Sequence, residues 1–175
     1  EIALEYYKTN GYNATYFVNG SSNKTIFSNF FDLFVFGYQL NLQNKEKNLQ
    51  KFIEFLGKYN NLNNSFSFLV KKVGNRKLAD LGEPDARNLE SILNIFRQTD
   101  LVNLFSEYLD GSYPLGFPDL FIWNENMGEY FFSEVKTKND TLNINQKRWI
   151  QKNISIFKFN FEILKILDKD SKEMK

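Results

Sequence analysis

The clearest pattern of apolar and polar positions lies in the second half of the chain and predicts a β-hairpin. Residues 120–123 form a short apolar run, residues 124–128 are rich in turn formers, and residues 130–136 are aromatic and β-branched. Short apolar runs on either side of a turn-rich segment are typical of two antiparallel strands. We therefore expect a hairpin with strands at about 120–123 and 130–136.

An amphipathic helix is predicted directly after the hairpin, over 141–150. Its apolar positions and one glutamine recur at helical spacing: Leu142, Gln146, Trp149 and Ile150. The candidate capping residues are Asn139, Asp140 and Thr141. We expect this helix to pack behind the hairpin, with Trp149 in the core and Gln146 toward the strands.

Alternation returns beyond this helix, over 155–167, and predicts one or two further strands. The positions on the apolar face are Phe157, Phe159, Phe161 and Ile163. Strands and helices therefore mix along the second half of the chain. This mixture is typical of an α/β domain with a small mixed sheet flanked by helices.

Helical patterns dominate the first half of the chain. The segments with apolar residues at helical spacing are 2–8, 22–38, 45–58, 86–100 and 101–109. A short strand is expected at 65–71, and residues 74–85 are rich in turn formers. That turn-rich segment ends in Gly82-Glu83-Pro84-Asp85, but a helix rather than a strand follows it. We interpret Asp85 as a helix-start residue.

Length and composition fit one domain with a full hydrophobic core. The chain has 175 residues, 42% of them hydrophobic, which suits one α/β domain better than two. It has no run of about 18 apolar residues and no signal peptide, so we expect an intracellular protein without a membrane span. It also has no cysteine and no histidine, which excludes disulfides, thiolate zinc sites and histidine-based catalysis. Any catalysis has to use carboxylates and lysine.

Two acidic residues and a lysine fall where the predicted hairpin would bring them together. Asp119 directly precedes the first strand, and Glu134 and Lys136 lie two positions apart on the second. Side chains alternate between the two faces of a strand, so Glu134 and Lys136 project to one side while Val135 points to the other. We therefore expect Asp119 and Glu134 to converge on one pocket, with Lys136 beside them.

This set of groups matches the chemistry of metal-dependent phosphodiester hydrolysis. Mg²⁺ prefers one or two carboxylates together with waters and phosphate oxygens, which Asp119 and Glu134 could provide. The backbone carbonyl of Val135 is a further candidate ligand. Lys136 would orient or deprotonate the attacking water, or bind the scissile phosphate. The pattern therefore predicts a nuclease that uses Mg²⁺ or Mn²⁺.

Each part of this pattern has an ordinary structural interpretation when it is taken alone. A pair such as Pro118-Asp119 is more often a turn, and an acid two residues from a lysine is more often a solvated surface pair. The combination with a hairpin and a following helix favours the metal site. For three basic residues, phosphate contact and an ordinary solvated surface are equally good interpretations: Lys138, Lys147 and Arg148.

Several stretches of the sequence resemble the VRR-NUC branch of the PD-(D/E)XK nuclease superfamily. These stretches are Gly-Phe-Pro-Asp-Leu-Phe-Ile-Trp from Gly116, Ser-Glu-Val-Lys-Thr-Lys-Asn-Asp-Thr-Leu from Ser133, and Gln-Lys-Arg-Trp-Ile from Gln146. Upstream, residues 3–12, 18–22 and 26–36 are similar to the catalytic domain of the Fanconi-anaemia-associated nuclease family. The resemblance spans most of the chain and is strongest from Leu115 to Ile150.

The resemblance implies a restriction-endonuclease-like core at 1–41 and 109–175, with a mainly helical insert before the Pro-Asp motif at about 42–108. It implies one nuclease domain over 1–175, acting on branched or flapped DNA. The implied catalytic residues are Asp119, Glu134, Lys136 and Gln146. The implied metal ligands are Asp119, Glu134, Val135 and Asn19, and the implied DNA contacts are Ser21, Lys138, Lys147 and Arg148.

One position departs from the family pattern. Where the family has a glutamate before Gly-Ser, this chain has Asn19. An asparagine can offer a neutral oxygen to a metal or a bound water, but it carries no charge and cannot take a proton. Asp32 or Glu5 would replace the missing acid if the fold brought either of them close. Otherwise the domain would be slow, dependent on Mn²⁺, or inactive.

Three interpretations of function therefore stay open. The first is a DNA endonuclease or exonuclease in repair, recombination or phage-related processes. The second is a catalytically impaired module that keeps the nuclease fold and binds nucleic acid or protein, and the third is a restriction or anti-phage defence nuclease. A net charge of +1 gives little overall attraction to DNA. Because the chain begins with Glu1 rather than Met, we expect a piece of a longer protein with further DNA-binding domains.

Overall fold

A computed structural model describes residues 1–19, 24–74 and 83–167. In it the chain separates into two units, of which the first comprises Glu1–Phe17 with Leu115–Lys175 and the second comprises Val18–Pro114. The first unit contains the predicted hairpin and the helix after it. The second unit contains the segment 42–108, where the sequence predicts a helical insert.

The described helices and strands alternate in the first unit, whereas helices dominate the second. In chain order they are α1 (Ile2–Thr9), β1 (Asn13–Tyr16), β2 (Val18–Asn19), β3 (Lys24–Thr25), α2 (Ser28–Gly37), α3 (Lys45–Leu56), α4 (Leu62–Val73), α5 (Glu83–Ile95), α6 (Gln98–Asp110), β4 (Leu120–Asn124), β5 (Glu129–Lys136), α7 (Ile144–Lys152), a π-helical turn (Asn153–Phe157) and β6 (Phe161–Lys165). None of the helices in the described ranges combines the length and apolarity needed to cross a membrane.

A four-stranded mixed sheet forms the centre of the first unit and confirms the expected α/β class. Its strand order is β1-β4-β5-β6. The first two pairs are antiparallel, and β5 and β6 are parallel. A second, two-stranded sheet pairs β2 with β3 in the other unit.

The hairpin of β4 and β5 is present as the sequence predicts. All five residues of β4 are buried, which explains its uninterrupted apolar run. The turn is closed by the Asn124 side chain, whose Oδ1 accepts a hydrogen bond of 3.1 Å from the backbone N of Met127. Gly128 then adopts a φ of +65°, a conformation that a glycine reaches without a steric penalty.

Helices cover both faces of the sheet in the first unit. On one face Tyr7 of α1 packs with Leu120 and Ile122 of β4. On the other face Trp149 of α7 lies 5.8 Å, centroid to centroid, from Phe132 of β5. Because side chains alternate along a strand, the even positions of β5 face α7 and its odd positions face α1. Glu134 therefore lies on the α7 face.

The α1 face is fixed by a buried polar contact as well as by apolar packing. The Tyr7 hydroxyl hydrogen-bonds Ser133 of β5 at 2.6 Å and donates to Glu162 of β6. Burial and the Glu162 carboxylate raise the pKa of Tyr7, so the hydroxyl keeps its proton and acts as a donor. Two adjacent strands are thereby tied to one helix, on the face opposite Glu134.

Only part of the predicted strand region at 155–167 is a strand. The π-helical turn occupies residues 153–157, and β6 is confined to residues 161–165. Asn153 explains the difference, because its buried side chain donates to Phe159 O at 3.0 Å and accepts from Phe159 N at 2.9 Å. These bonds take the backbone groups with which Phe159 would have joined a sheet.

The predicted strand at 65–71 is wrong, because this segment lies within the helix α4. Asn61 caps the helix, since its Oδ1 accepts a 2.8 Å hydrogen bond from Asn64 N. Leu62, Phe66 and Leu69 are buried at helical spacing. This cap and the burial of one helical face favour a helix over the predicted strand.

Other boundaries in the second unit differ by a few residues from the predicted ones. The segment predicted as one helix at 22–38 begins with β3 before α2. The two helices predicted at 86–109 are divided between residues 95 and 98 rather than at residue 100. The turn-rich part at 75–82 lies outside the described residues, and α5 begins at Glu83, which places Asp85 in its first turn.

Phenylalanine side chains make up much of the core of the second unit. Six of them, from three helices, are at most 2% exposed: Phe30, Phe31, Phe34, Phe52, Phe55 and Phe105. The rings of Phe52 and Phe105 approach to 4.2 Å between centroids, which joins α3 to α6. Close ring contacts of this kind give the second unit a well-filled core.

Truncating the centre of this cluster is expected to destabilise the second unit strongly. Phe52→Ala should lower the free energy of unfolding by about 3–5 kcal/mol, because it removes a fully buried ring and leaves a cavity. The neighbouring Ile53 is 40% exposed, so Ile53→Ala serves as the matched control and should cost far less. Urea unfolding of both variants measures the difference, and equal midpoints would contradict the packing described here.

Candidate active site

The register of the hairpin places Asp119 opposite Glu134. Leu120 pairs with Ser133, and one further step along both strands brings Asp119 beside Glu134 on the α7 face. The backbone holds Asp119 from both sides: Phe17 N donates to its carbonyl at 2.9 Å, and Val135 N donates to its Oδ2 at 2.9 Å. The predicted convergence of the two acids is therefore present in the fold.

Glu134 is the buried centre of the site and contacts two other predicted residues. It is 2% exposed. Its Oε1 lies 2.7 Å from the ammonium of Lys136 and accepts a hydrogen bond from Nε2 of Gln146. The Lys136 side chain is itself only 14% exposed. Asp119, in contrast, is exposed at the rim, so the cluster has a buried inner acid and an accessible outer one.

A capping box at the start of α7 holds Gln146 in place. The Oδ1 of Asn143 accepts hydrogen bonds from Asn145 N at 2.9 Å and Gln146 N at 3.0 Å. In return Oε1 of Gln146 accepts from Asn143 N at 3.0 Å, and it also accepts from Lys136 Nζ at 3.3 Å. Because both donors meet Oε1, the amide nitrogen of Gln146 is directed at Glu134.

This cap differs from the predicted one. The predicted capping residues were Asn139, Asp140 and Thr141, whereas the helix begins at Ile144 with Asn143 as its cap. Asp140 has another role, since its Oδ2 accepts from both Thr137 N at 2.9 Å and Thr137 Oγ1 at 2.7 Å. The signal that identifies the real cap is the Asn143-x-x-Gln146 spacing, in which the cap and the third helical residue bond each other reciprocally.

Opposing effects act on the charge of Glu134. Burial is the largest and raises the pKa of its carboxyl above the ordinary value of 4.5, and the nearby Asp119 charge raises it further. The Lys136 ammonium acts in the opposite direction, yet the pKa remains raised. The raised pKa of Glu134 therefore comes mainly from burial, which the Lys136 ammonium does not fully offset.

The two neighbouring carboxylates, one of them buried, fit a divalent cation. A hard cation such as Mg²⁺ takes one or two carboxylates and completes its shell with waters and phosphate oxygens. Asp119 and Glu134 could supply those two carboxylates, and added positive charge would offset their mutual repulsion. Across residues 1–19, 24–74 and 83–167, no group of three or more His, Cys, Asp or Glu side chains forms a metal site. Any further protein ligand among the described residues would have to be neutral, and the Val135 carbonyl remains a predicted one.

The residues considered for a third acidic ligand lie apart from this cluster or in the other unit. Glu5 is exposed on α1, which covers the opposite face of the sheet, and it pairs with Lys8 at 3.2 Å. Asp32 belongs to the second unit, where it accepts a 2.8 Å hydrogen bond from Tyr108. Asn19 is in β2 of that unit. Ser21, a predicted DNA contact, lies outside the described residues.

Three basic residues predicted to contact DNA are exposed in the first unit. Lys138 follows the end of β5, two residues beyond Lys136. Lys147 and Arg148 lie on α7 directly after Gln146. Their exposure and their closeness in sequence to the cluster are compatible with phosphate contact, which stays a prediction.

Comparison with known families covers this whole cluster. The family model of the VRR-NUC domain matches residues 67–165, which is more than half of the 175 residues. The chain belongs to the VRR-NUC domain family. The matched range runs from α4 through β6 and includes Asp119, Glu134, Lys136 and Gln146 of this VRR-NUC domain. Comparison with curated proteins gives no match.

A solved structure shares the fold of this VRR-NUC domain. It is the crystal structure of paFAN1 bound to 5′-flap DNA with a 2-nucleotide flap and a gap, and it superposes with a TM-score of 0.67 at 18% sequence identity. The match covers 95% of this chain but only 34% of the paFAN1 chain. This likeness establishes a restriction-endonuclease-like fold, in agreement with the sequence-based expectation.

The raised pKa of Glu134 predicts how stability depends on pH. The folded state binds a proton at Glu134 more tightly than the unfolded state does, so this contribution to stability is present at low pH. It is lost as the pH rises from about 4.5 through the raised pKa. In metal-free buffer, Glu134→Gln should therefore gain stability relative to the wild type as the pH rises. Urea midpoints from about pH 3 to about pH 8 measure the trend.

Asp140 provides a control with the opposite sign. Its hydrogen bonds from Thr137 hold its pKa below the ordinary value of 3.8, so its stabilisation is present above that pH and lost as the pH falls. Asp140→Asn should lose stability relative to the wild type at neutral pH, with the gap closing in acid. A Glu134→Gln curve that runs parallel to the wild-type curve would contradict the electrostatics described for Glu134.

Proposed function

We propose that this VRR-NUC domain is a deoxyribonuclease that hydrolyses phosphodiester bonds with Mg²⁺ or Mn²⁺. The observation that carries the proposal is the meeting of Asp119 and Glu134 across the hairpin, with Lys136 2.7 Å from the buried carboxylate. Membership of the VRR-NUC family supports nuclease chemistry. When bound between the two acids, a divalent ion would supply Lewis acidity toward the phosphate and make water more acidic.

The residues of the chain have distinct roles in this proposal. Asp119 is the accessible acid and would meet the incoming cation and phosphate first. Glu134 is the inner acid, whose orientation is set by Lys136 and Gln146. The Lys136 ammonium makes two contacts within the described residues, so it retains one donor for the attacking water or a phosphate oxygen. We assign water orientation to Lys136 and support of Glu134 to Gln146.

We infer that branched or flapped DNA is the substrate class. The paFAN1 crystal structure, which shares the fold, holds a 5′-flap DNA. The net charge of +1 means that affinity has to come from local groups such as Lys138, Lys147 and Arg148, or from other domains. Since this chain spans 34% of paFAN1, we propose that additional DNA-binding domains accompany it in an intracellular role in repair, recombination or phage-related processes.

A second candidate function is a nuclease-fold module that binds nucleic acid or protein without cleaving it. Asn19 favours this alternative, because it stands where the resemblance implies a third acid. The described residues also provide no metal site with three acidic side chains. The two candidates differ in one measurable property, which is metal-dependent cleavage by the wild-type domain.

Removing the charge of Asp119 is expected to abolish most of the cleavage. Asp119→Asn keeps an oxygen that can accept from Val135 N, so the fold should persist, while the rate should fall by about 100-fold or more. Lys136→Met should lower the rate similarly. The assay follows labelled 5′-flap, single-stranded, duplex and four-way DNA with and without Mn²⁺. The matched control is Glu129→Gln at the far end of β5, whose carboxylate instead accepts from Tyr12. Wild-type rates in both site variants would refute the assignments.

Restoring an acid at position 19 separates the two candidate functions. If the domain is an active nuclease, Asn19→Glu should change the cleavage rate little, because the wild type already cleaves. A large gain of cleavage from an inactive wild type would establish the impaired-module alternative. Asn13→Glu adds the same charge on the exposed start of β1 and controls for a general electrostatic effect.

A further inference from the structure

Gly116 lies in closer contact with α7 than any residue with a side chain could. Its φ is +76°, and a Cβ added to it would lie 2.3 Å from Asn145 O, 2.5 Å from Asn145 C and 3.0 Å from Gln146 N. All three atoms are main-chain atoms in the first turn of the helix. They cannot rotate away as the end of a flexible side chain could, so a Cβ would displace either the loop or the helix.

The two segments that meet at Gly116 carry different halves of the site. The loop that contains Gly116 leads within three residues to Asp119. Gly116 touches the peptide bond between Asn145 and Gln146. The Gln146 side chain donates a hydrogen bond to Glu134 and accepts one from Lys136. The distance between the loop and the helix at Gly116 therefore affects how Asp119 lies relative to Gln146, which orients Glu134.

Neighbouring contacts fix both segments and make this spacing rigid. The Phe117 ring stacks on Phe17 with centroids 5.1 Å apart and packs on Trp149 of α7 at 5.3 Å. On the helix side, the capping box of Asn143 holds the first turn. A displacement at Gly116 would thus be transmitted to the site rather than absorbed by loose loop structure.

We propose that Gly116 is a positioning residue, which sets the distance between the Asp119 loop and the first turn of α7 so that Gln146 reaches Glu134. The inference rests on the proposed nuclease function and adds a residue to it. In the proposed role, Gly116 touches neither substrate nor metal. It acts through Gln146, and its contribution is the absence of a side chain at one point of contact.

Gly128 is a matched control in the same unit. Its φ of +65° is similar, so alanine there meets the same unfavourable backbone conformation. A Cβ at Gly128 would have no atom within 4 Å, whereas one at Gly116 would overlap the helix backbone. Comparing the two alanine variants therefore separates the effect of a clash with the helix backbone, which only Gly116→Ala causes, from the effect of the unfavourable φ, which both variants share.

The experiment compares Gly116→Ala with Gly128→Ala in cleavage kinetics and in the NMR signal of the Gln146 side-chain amide, assigned by its loss in Gln146→Ala. Both variants should lose thermal stability. Only Gly116→Ala should lower kcat, by about 100-fold, with little change in KM for DNA and a shifted Gln146 signal. In the Gln146→Ala background, Gly116→Ala should lower kcat little further, because the two residues act through one contact.

Several outcomes would overturn the proposal. The first is a wild-type kcat and an unmoved Gln146 signal in folded Gly116→Ala. The second is a loss of kcat in Gly128→Ala equal to that in Gly116→Ala. The third is full additivity of the losses of kcat when Gly116→Ala is combined with Gln146→Ala. If Gly116→Ala does not fold, one glycine inserted after Gly116 changes the spacing without adding a Cβ, and one inserted after Gly128 is its control. The first insertion has to shift the Gln146 signal and the second must not. If the wild type cleaves no DNA, the proposed function fails, but the Gln146 signal still decides the role of Gly116.

Discussion

Burial of the Glu134 carboxylate is the constraint on which the arrangement of the site depends. A buried charge is costly unless it is paired and hydrogen-bonded, and here the Asp119 charge adds repulsion to the cost of burial. Lys136 pairs with the Glu134 carboxylate from the same strand, and Gln146 donates a hydrogen bond to it from the helix α7. The position of α7 on the sheet is therefore an electrostatic requirement as much as a matter of packing.

The two faces of β5 divide structural and chemical roles. Ser133 faces α1, where its hydroxyl and the Tyr7 hydroxyl form a closed, buried contact. Glu134, one residue later, faces α7 and lies beside the exposed Asp119. Since the backbone of a strand is shared by both faces, the α1 contacts hold the segment from which Glu134 projects. A site whose members project from a central sheet is positioned more precisely than one built on loops alone.

The sequence predicted the cluster well because its key relations are local. Asp119 and Glu134 are joined by a short hairpin, and hairpin register follows from turn length and from the alternation of buried residues. The failed predictions depend on contacts between distant residues or on specific side-chain bonds. The helix α4 replaced a predicted strand because tertiary burial favoured one helical face, and Asn153 took up the backbone groups of Phe159. The close approach of Gly116 to Asn145 is a similar case, because no local pattern reveals it.

In the proposed nuclease, the contacts of Glu134 would also limit how strongly a cation is held. Lys136 already neutralises part of the Glu134 charge, so an incoming ion gains less from this carboxylate than it would from an unpaired one. At acidic pH a proton competes for Glu134, whose raised pKa makes that competition stronger. Weak binding suits an ion whose coordination shell is completed by the substrate, because phosphate oxygens then supply the ligands that the protein lacks. If the proposed nuclease has no third acid, as among its described residues, ion binding would depend on substrate, and hydrolysis would be confined to complexes in which DNA and the ion are bound together.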